Sequence, residues 1–138
     1  MQDDERIVIG GDFTEFNGRP RNRIARLDSD GKLDETFNPG AGPDSGIRAI
    51  ALQRDQKILL GGVFNYFNDT PLNHIARLNV NGSVDLSFQP GEGFNDVVRA
   101  IGIQPDGKIL AAGHFTNYNG VACSRIARLR GTSVGAKK

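Results

Sequence analysis

The sequence has a single cysteine, Cys123, so it can form no intrachain disulfide and no zinc site built from cysteines. Its charge nearly cancels, with 17 Lys and Arg against 16 Asp and Glu for a net +1. No overall field draws it to nucleic acid or to an anionic membrane. No apolar run approaches the ~20 residues of a spanning helix. The opening MQDDER is polar and acidic, so no secretory signal is expected there. His74 and His114 are the only histidines, and neither has Cys, Asp or Glu at ligand spacing. No metal or other cofactor is expected. Gly-Lys-Ser/Thr phosphate loops and Gly-x-Ser-x-Gly elbows are absent as well. No 3.6-residue apolar period runs far enough to make a helix.

Glycine is abundant, at 18 of 138 residues, about twice the usual frequency. Together with many Asn and Asp it predicts many turns. The dominant feature is a repeat. IVIGGDF at 7–13 returns as ILLGGVF at 58–64 and ILAAGHF at 109–115. RIARL at 23–27 returns as HIARL at 74–78 and RIARL at 125–129, and DGKLDETFNPG at 30–40 returns as NGSVDLSFQPG at 81–91. IRAIALQRDQKIL at 47–59 returns as VRAIGIQPDGKIL at 98–110. The register is constant, as 7, 58 and 109 show, with no insertion or deletion.

Within each repeat the segments read as short strands rich in Ile, Val, Leu and Phe, separated by Gly, Asn, Asp and Pro. In the second repeat they fall near 47–52, 57–64, 74–79 and 83–88. Asp30-Gly31 and Asn81-Gly82 predict type I′ turns between the last two strands. Four antiparallel strands per ~50 residues describe one blade of a β-propeller, so the predicted fold is all-β. Strict alternation puts Ile47, Ala49 and Ala51 on one face of the first strand and Arg48, Ile50 and Leu52 on the other. A small-residue face suits the innermost strand, where blades converge. Gly61 and Gly62, like Gly10 and Gly11, are read as permitting close backbone approach to a neighbouring sheet.

The unit GG-x-F-x-x-(F/Y)-N-(G/D), then IARL, then (D/N)G-x-x-D-x-x-F-x-PG, then (I/V)RAI-x-x-Q-x-(D/Q)-x-KIL, resembles the delta-60 repeat of bacterial β-propeller proteins. Its paired glycines are distantly similar to those of kelch repeats. The resemblance covers residues 2–130. It implies a secreted or surface-attached bacterial parent protein and supplies no catalytic residues. The chain departs from that pattern in lacking a signal peptide and in holding fewer than three full repeats. The predicted organisation is a partial first blade at 2–46, a full second blade at 47–97, a partial third blade at 98–130 and a flexible tail at 131–138.

An arc of about three blades leaves an apolar blade face at each end, and monomers rarely expose large contiguous apolar patches. Propellers close with ~4–8 blades. The expected partner is therefore a second copy, joined head to tail into a six-bladed homodimeric ring. The competing reading is an excised or engineered propeller piece whose activity is oligomerisation alone.

The repeat also nominates side chains. Arg48 and Arg99 recur at the start of the innermost strand, either as an anion site at the channel mouth or as partners of Asp44 and Asp96. Arg26, Arg77 and Arg128 recur in IARL, with Asp34 and Asp85 eight residues after the first two, a spacing that hairpin pairing turns into a structural ion pair. Arg128 has no such successor. Asp28-Ser-Asp30-Gly-Lys-Leu-Asp34 faintly suggests a calcium loop, but its repeat Asn79–Asp85 uses amides that a turn tolerates and calcium does not favour. Phe16-Asn17, Phe67-Asn68 and Tyr118-Asn119 read as plugs that close a loop onto its own blade. Beyond them the tips diverge, and Arg19, Arg21 and Arg23 form the only local basic cluster, a candidate recognition loop. The functional expectation is a non-enzymatic scaffold or binding module for protein or glycan. An enzyme with a composite site at the channel mouth is the remaining alternative.

Overall fold

The computed structural model describes residues 5–88 and 90–129. The expected tail at 131–138 lies outside them. Every regular element is a β-strand, and the strands fall into three successive units. The first holds β1 (Ile7–Gly10), the short pair β2 (Glu15–Phe16) and β3 (Arg19–Pro20), and β4 (Ile24–Leu27). The second holds β5 (Ile47–Leu52), β6 (Ile58–Gly62), β7 (Tyr66–Phe67), β8 (Thr70–Pro71) and β9 (Ile75–Leu78). The third repeats the second as β10 (Val98–Ile103), β11 (Ile109–Gly113), β12 (Asn117–Tyr118), β13 (Val121–Ala122) and β14 (Ile126–Leu129). The main sheets are antiparallel, in the orders β1-β4, β5-β6-β9 and β10-β11-β14. Each two-residue pair forms a small arm between the second and third strands.

The fourth strand expected at 83–88 is reduced to a single bridge, Leu78↔Val84, mirrored by Leu27↔Leu33. The cause is Asp85. Its carboxylate accepts the amide and hydroxyl of Ser87, and its carbonyl accepts Phe88 N–H, so the chain bends away one residue after the bridge. The turns before it also differ from the type I′ expectation. Only the glycines, Gly31 at φ 82° and Gly82 at φ 95°, are left-handed. Asp28 N–H donates to Lys32 O while Gly31 N–H donates to Asp28 O, the pattern of a three-residue loop ending in a glycine bulge. Adjacent left-handed residues occur instead in the arms, at Asn17-Gly18 and Asn119-Gly120.

Strict alternation along the first strand also fails. A bulge shifts register between Ile47 and Ala49, and again between Val98 and Ala100. The extra residue turns Ile47 onto the same side as Ile50 and Leu52, all three joining one core. Ala51 faces the other way, toward the core of the next blade.

The cores lie between blades. One combines Ile24 of the first blade with Ile47, Ile58, Leu60, Phe64, Phe67 and Leu78 of the second. The other combines Leu59 and Ile75 of the second with Val98, Ile109, Ala111, Phe115 and Tyr118 of the third. Blades meet most closely through their first strands, β5 against β10. Gly61 makes this possible, because a side-chain carbon there would stand 2.5 Å from Val98 Cγ1. Gly10 meets Ile47 and Ile50 in the same way. Gly62 does not serve the neighbour as expected. A side chain there would strike Ile47 of its own blade and the carbonyl of Gly46 just before it.

The Gly61→Ala variant should therefore lose about 1–3 kcal/mol through overpacking at the blade interface. Equilibrium denaturation by urea measures it, and an unchanged midpoint would refute the close approach.

Candidate functional site

The recurrent ionisable residues assemble on the outer part of each blade. Arg26 Nε donates to Asp34 Oδ2 at 2.8 Å, and Arg77 Nε donates to Asp85 Oδ2 at 2.8 Å. Both arginines are buried and lie over an aromatic ring, Phe37 at 4.8 Å and Phe88 at 4.9 Å. A second cation joins each pair from the equivalent position. Lys57 Nζ donates to Asp85 at 2.7 Å, and Arg6 lies 3.5 Å from Asp34. Arg77 also donates to Gln53 Oε1. Burial alone would raise the Asp85 pKa. The hydrogen bonds from Lys57 and from the Ser87 hydroxyl and amide, with the attraction of Arg77, outweigh it and hold the carboxyl well below the usual carboxylate range. At Asp34 burial is likewise opposed, by Thr36 and Arg26, and its pKa is lowered. Arg128 is different. It is exposed and has no partner among the described residues.

Arg48 and Arg99 occupy the second position of β5 and β10 but have different surroundings. Arg48 Nη1 donates to Asp12 Oδ1 at 2.9 Å, an acid contributed by the preceding blade rather than Asp44. Asp44 instead accepts the amides of Asn65 and Tyr66, and Asp96 accepts Val97 N–H. The position of Asp12 is Val63 in the second repeat, so exposed Arg99 meets no acid among the described residues.

The basic loop is not a free cationic patch. Arg19 pairs with Glu35, Arg21 donates to Pro20 O, and Arg23 donates to Asn22 Oδ1 and Pro43 O. The calcium-like loop also turns inward. Asp28 Oδ1 accepts the amides of Asp30 and Lys32, and no group of three metal-ligating side chains occurs among the described residues.

Sequence reading missed the clamps on the inter-blade linker. Asn22 Nδ2 donates to Ala41 O and Pro43 O from the blade before the linker. Asn68 Oδ1 accepts Gly42 N–H, and Asn68 N–H donates to Gly42 O from the blade after it. Asn73 and Asn119 do the same around Glu92 and Gly93. So Asn68 and Asn119 close more than their own turns. The recurrence of Asn22 and Asn73 two residues before IARL was the available signal.

The second interface also holds a cleft of about 510 Å³ lined by Asn65, Asn73, His74, Glu92, Phe94 and Asn117, among others. Its volume falls within the ~300–1,000 Å³ of small-molecule sites. It opens where the repeat changes size. Arg23 and Tyr66 of the first interface become His74 and Asn117 at the second. His74 Nδ1 donates to Gly62 O at 3.0 Å, which leaves Nε2 as the other ring nitrogen. Below the cleft, Phe94 stacks on Phe115 and Tyr118. The Tyr118 hydroxyl is buried without a partner among the described residues, and burial, with Cys123 beside it, pushes its pKa well above the ordinary value.

A family model described as a β-propeller domain of unknown function, DUF5122, matches residues 2–37, 53–88 and 104–131. No curated protein and no solved structure matches the chain.

Two outcomes follow. A carboxylate held below its unfolded value near 3.9 stabilises the fold above that pH, and the contribution fades as pH falls through it. Thermal stability should thus drop steeply below about pH 4. Asp85→Ala should remove much of that acid limb and cost about 3–5 kcal/mol, because it leaves Arg77 buried without its acid. An acid limb of unchanged steepness in the variant would contradict this. Tyr118→Phe should be neutral or mildly stabilising by urea denaturation, since it deletes an unsatisfied buried hydroxyl where Phe67 is accommodated in the second blade. A loss above about 1 kcal/mol would show that the hydroxyl has a partner.

Proposed function

Because this chain belongs to the DUF5122 β-propeller family, we propose that it is a non-enzymatic scaffold that closes into a ring with a second copy and presents its inter-blade loops to a protein or glycan. The recurring charged side chains support a scaffold, since Arg26, Arg77, Asp34 and Asp85 are spent on one another inside the blades. The cleft beside His74 and Asn117 supports a binding role. Its amides and single carboxylate suit a neutral, hydroxyl-rich ligand better than an anion.

One comparison carries the assembly. Ile24 and Ile75 are 0 % exposed beneath the following blade, whereas Ile126, at the same repeat position, is 60 % exposed. Around it Leu110, Ala127 and Arg128 line an open depression. At the other end Ile7 is 40 % exposed, while its equivalents Ile58 and Ile109 are 0 % exposed. These exposures support reading the two open faces as complementary halves of the interface that the chain already makes twice. Joining them head to tail repeats that interface, and two copies of three blades give a ring within the usual size range.

Light scattering on the purified chain should give twice the 14.9 kDa chain mass. Ile126→Glu should return it to one chain without changing the β-sheet circular dichroism. A monomer at high micromolar concentration, or an assembly indifferent to Ile126→Glu, would overturn the ring.

A further inference from the structure

The ion-pair sets of the first two blades share one plan, and the described residues of the third blade hold only part of it. Lys57 and Arg77 converge on Asp85 in the second blade, and Arg77 also donates to Gln53 Oε1. Their counterparts in the third are Lys108, Gln104 and Arg128, but 51 residues after Asp85 the sequence has Ala136 and no acid. Each of the three side chains registers the difference. Gln104 Oε1 is buried with no partner among the described residues, where Gln53 Oε1 accepts from Arg77. Lys108 reaches only Asp106 among the described residues, at 3.9 Å. Arg128 is exposed, where Arg77 is 2 % exposed. The charge is one-sided as well. After Asp106 the sequence contains six cations, Lys108, Arg125, Arg128, Arg130, Lys137 and Lys138, and no acid.

We propose that this edge of the third blade is a docking site for an acidic peptide segment carrying Asp, then Ser or Thr two residues on, then Phe one residue later. The chemistry is read from the occupied sets. The carboxylate meets Arg and Lys together, as Asp85 does, and the Arg it holds donates to the Gln oxygen, as Arg77 does to Gln53. The Ser or Thr folds back on that carboxylate, as Thr36 and Ser87 do. The Phe slides beneath the guanidinium, as Phe37 and Phe88 do. The backbone adds a further bond, since Asp34 and Asp85 N–H donate to the carbonyls of Arg26 and Arg77 at 2.8 Å. The docked segment extends the sheet edge and adds side-chain specificity, the usual logic of strand addition. This names a partner chemistry for the binding role proposed above and does not require the ring.

A fluorescein-labelled synthetic peptide with the sequence of residues 79–91 supplies the probe, titrated with the intact chain and read by fluorescence anisotropy. Saturable binding is expected, with amide shifts in the nuclear magnetic resonance spectrum at Gln104, Lys108 and Arg128. Replacing Asp85→Ala in the peptide, or Arg128→Ala in the protein, should weaken binding by about tenfold or more. Arg125→Ala, which removes the same charge, should change it little. Absence of saturable binding, equal affinity for the Asp85→Ala peptide, or binding of a single-stranded oligonucleotide in place of the peptide would each overturn the proposal. Light scattering on the same sample reports ring closure separately, so failure of one reading is distinguishable from failure of the other.

Discussion

The architecture depends on one constraint: a blade has no core of its own. Its apolar side chains point to two neighbours, and each is dry only when a further blade lies against it. Leu59 and Ile75 belong by sequence to the second blade and by packing to the third. Fully burying one such aliphatic side chain contributes about 1.5–3 kcal/mol, so an uncovered face forgoes several such contributions at once. The glycine at the end of the second strand sets the distance of approach. Gly10 and Gly61 admit the first strand of the next blade, while Ala112 stands at the same position in the third blade.

Around that constraint the polar residues act as fasteners. Linker amides hold each crossing between blades from both sides, Asn22 and Asn68 at the first and Asn73 and Asn119 at the second. The Arg-Asp sets fix the bend that replaces a fourth strand, so the outer rim is ordered by charge and hydrogen bonds rather than by a ladder. Arg26 extends this across the interface by donating to Val80 O of the next blade.

Much of this was legible in the sequence. A constant register across four segments led directly to blades. The eight-residue spacing in IARL-x-x-x-x-x-x-D led to Arg26 with Asp34 and Arg77 with Asp85, because a hairpin converts that spacing into a contact. The bulge was not legible. Nothing in IRAIAL marks the extra residue, and one unseen residue inverts the facing of Ile47. The partner of Arg48 was hidden for another reason: Asp12 lies 36 residues away on another blade, and the acids nearest in sequence bond to backbone instead. The short arms were read as loops because two-residue strands carry no periodicity. The cleft follows from differences between repeats, such as Arg23 against His74, and a search for similarity passes over those.

The most direct test of the central claim is the solvent access of Ile126 relative to Ile75, by hydroxyl-radical footprinting with mass spectrometry over a dilution series. If end faces are covered only by another blade, oxidation of Ile126 should fall toward that of Ile75 as concentration rises and recover on dilution. Oxidation of Ile126 that stays high and independent of concentration would contradict the account.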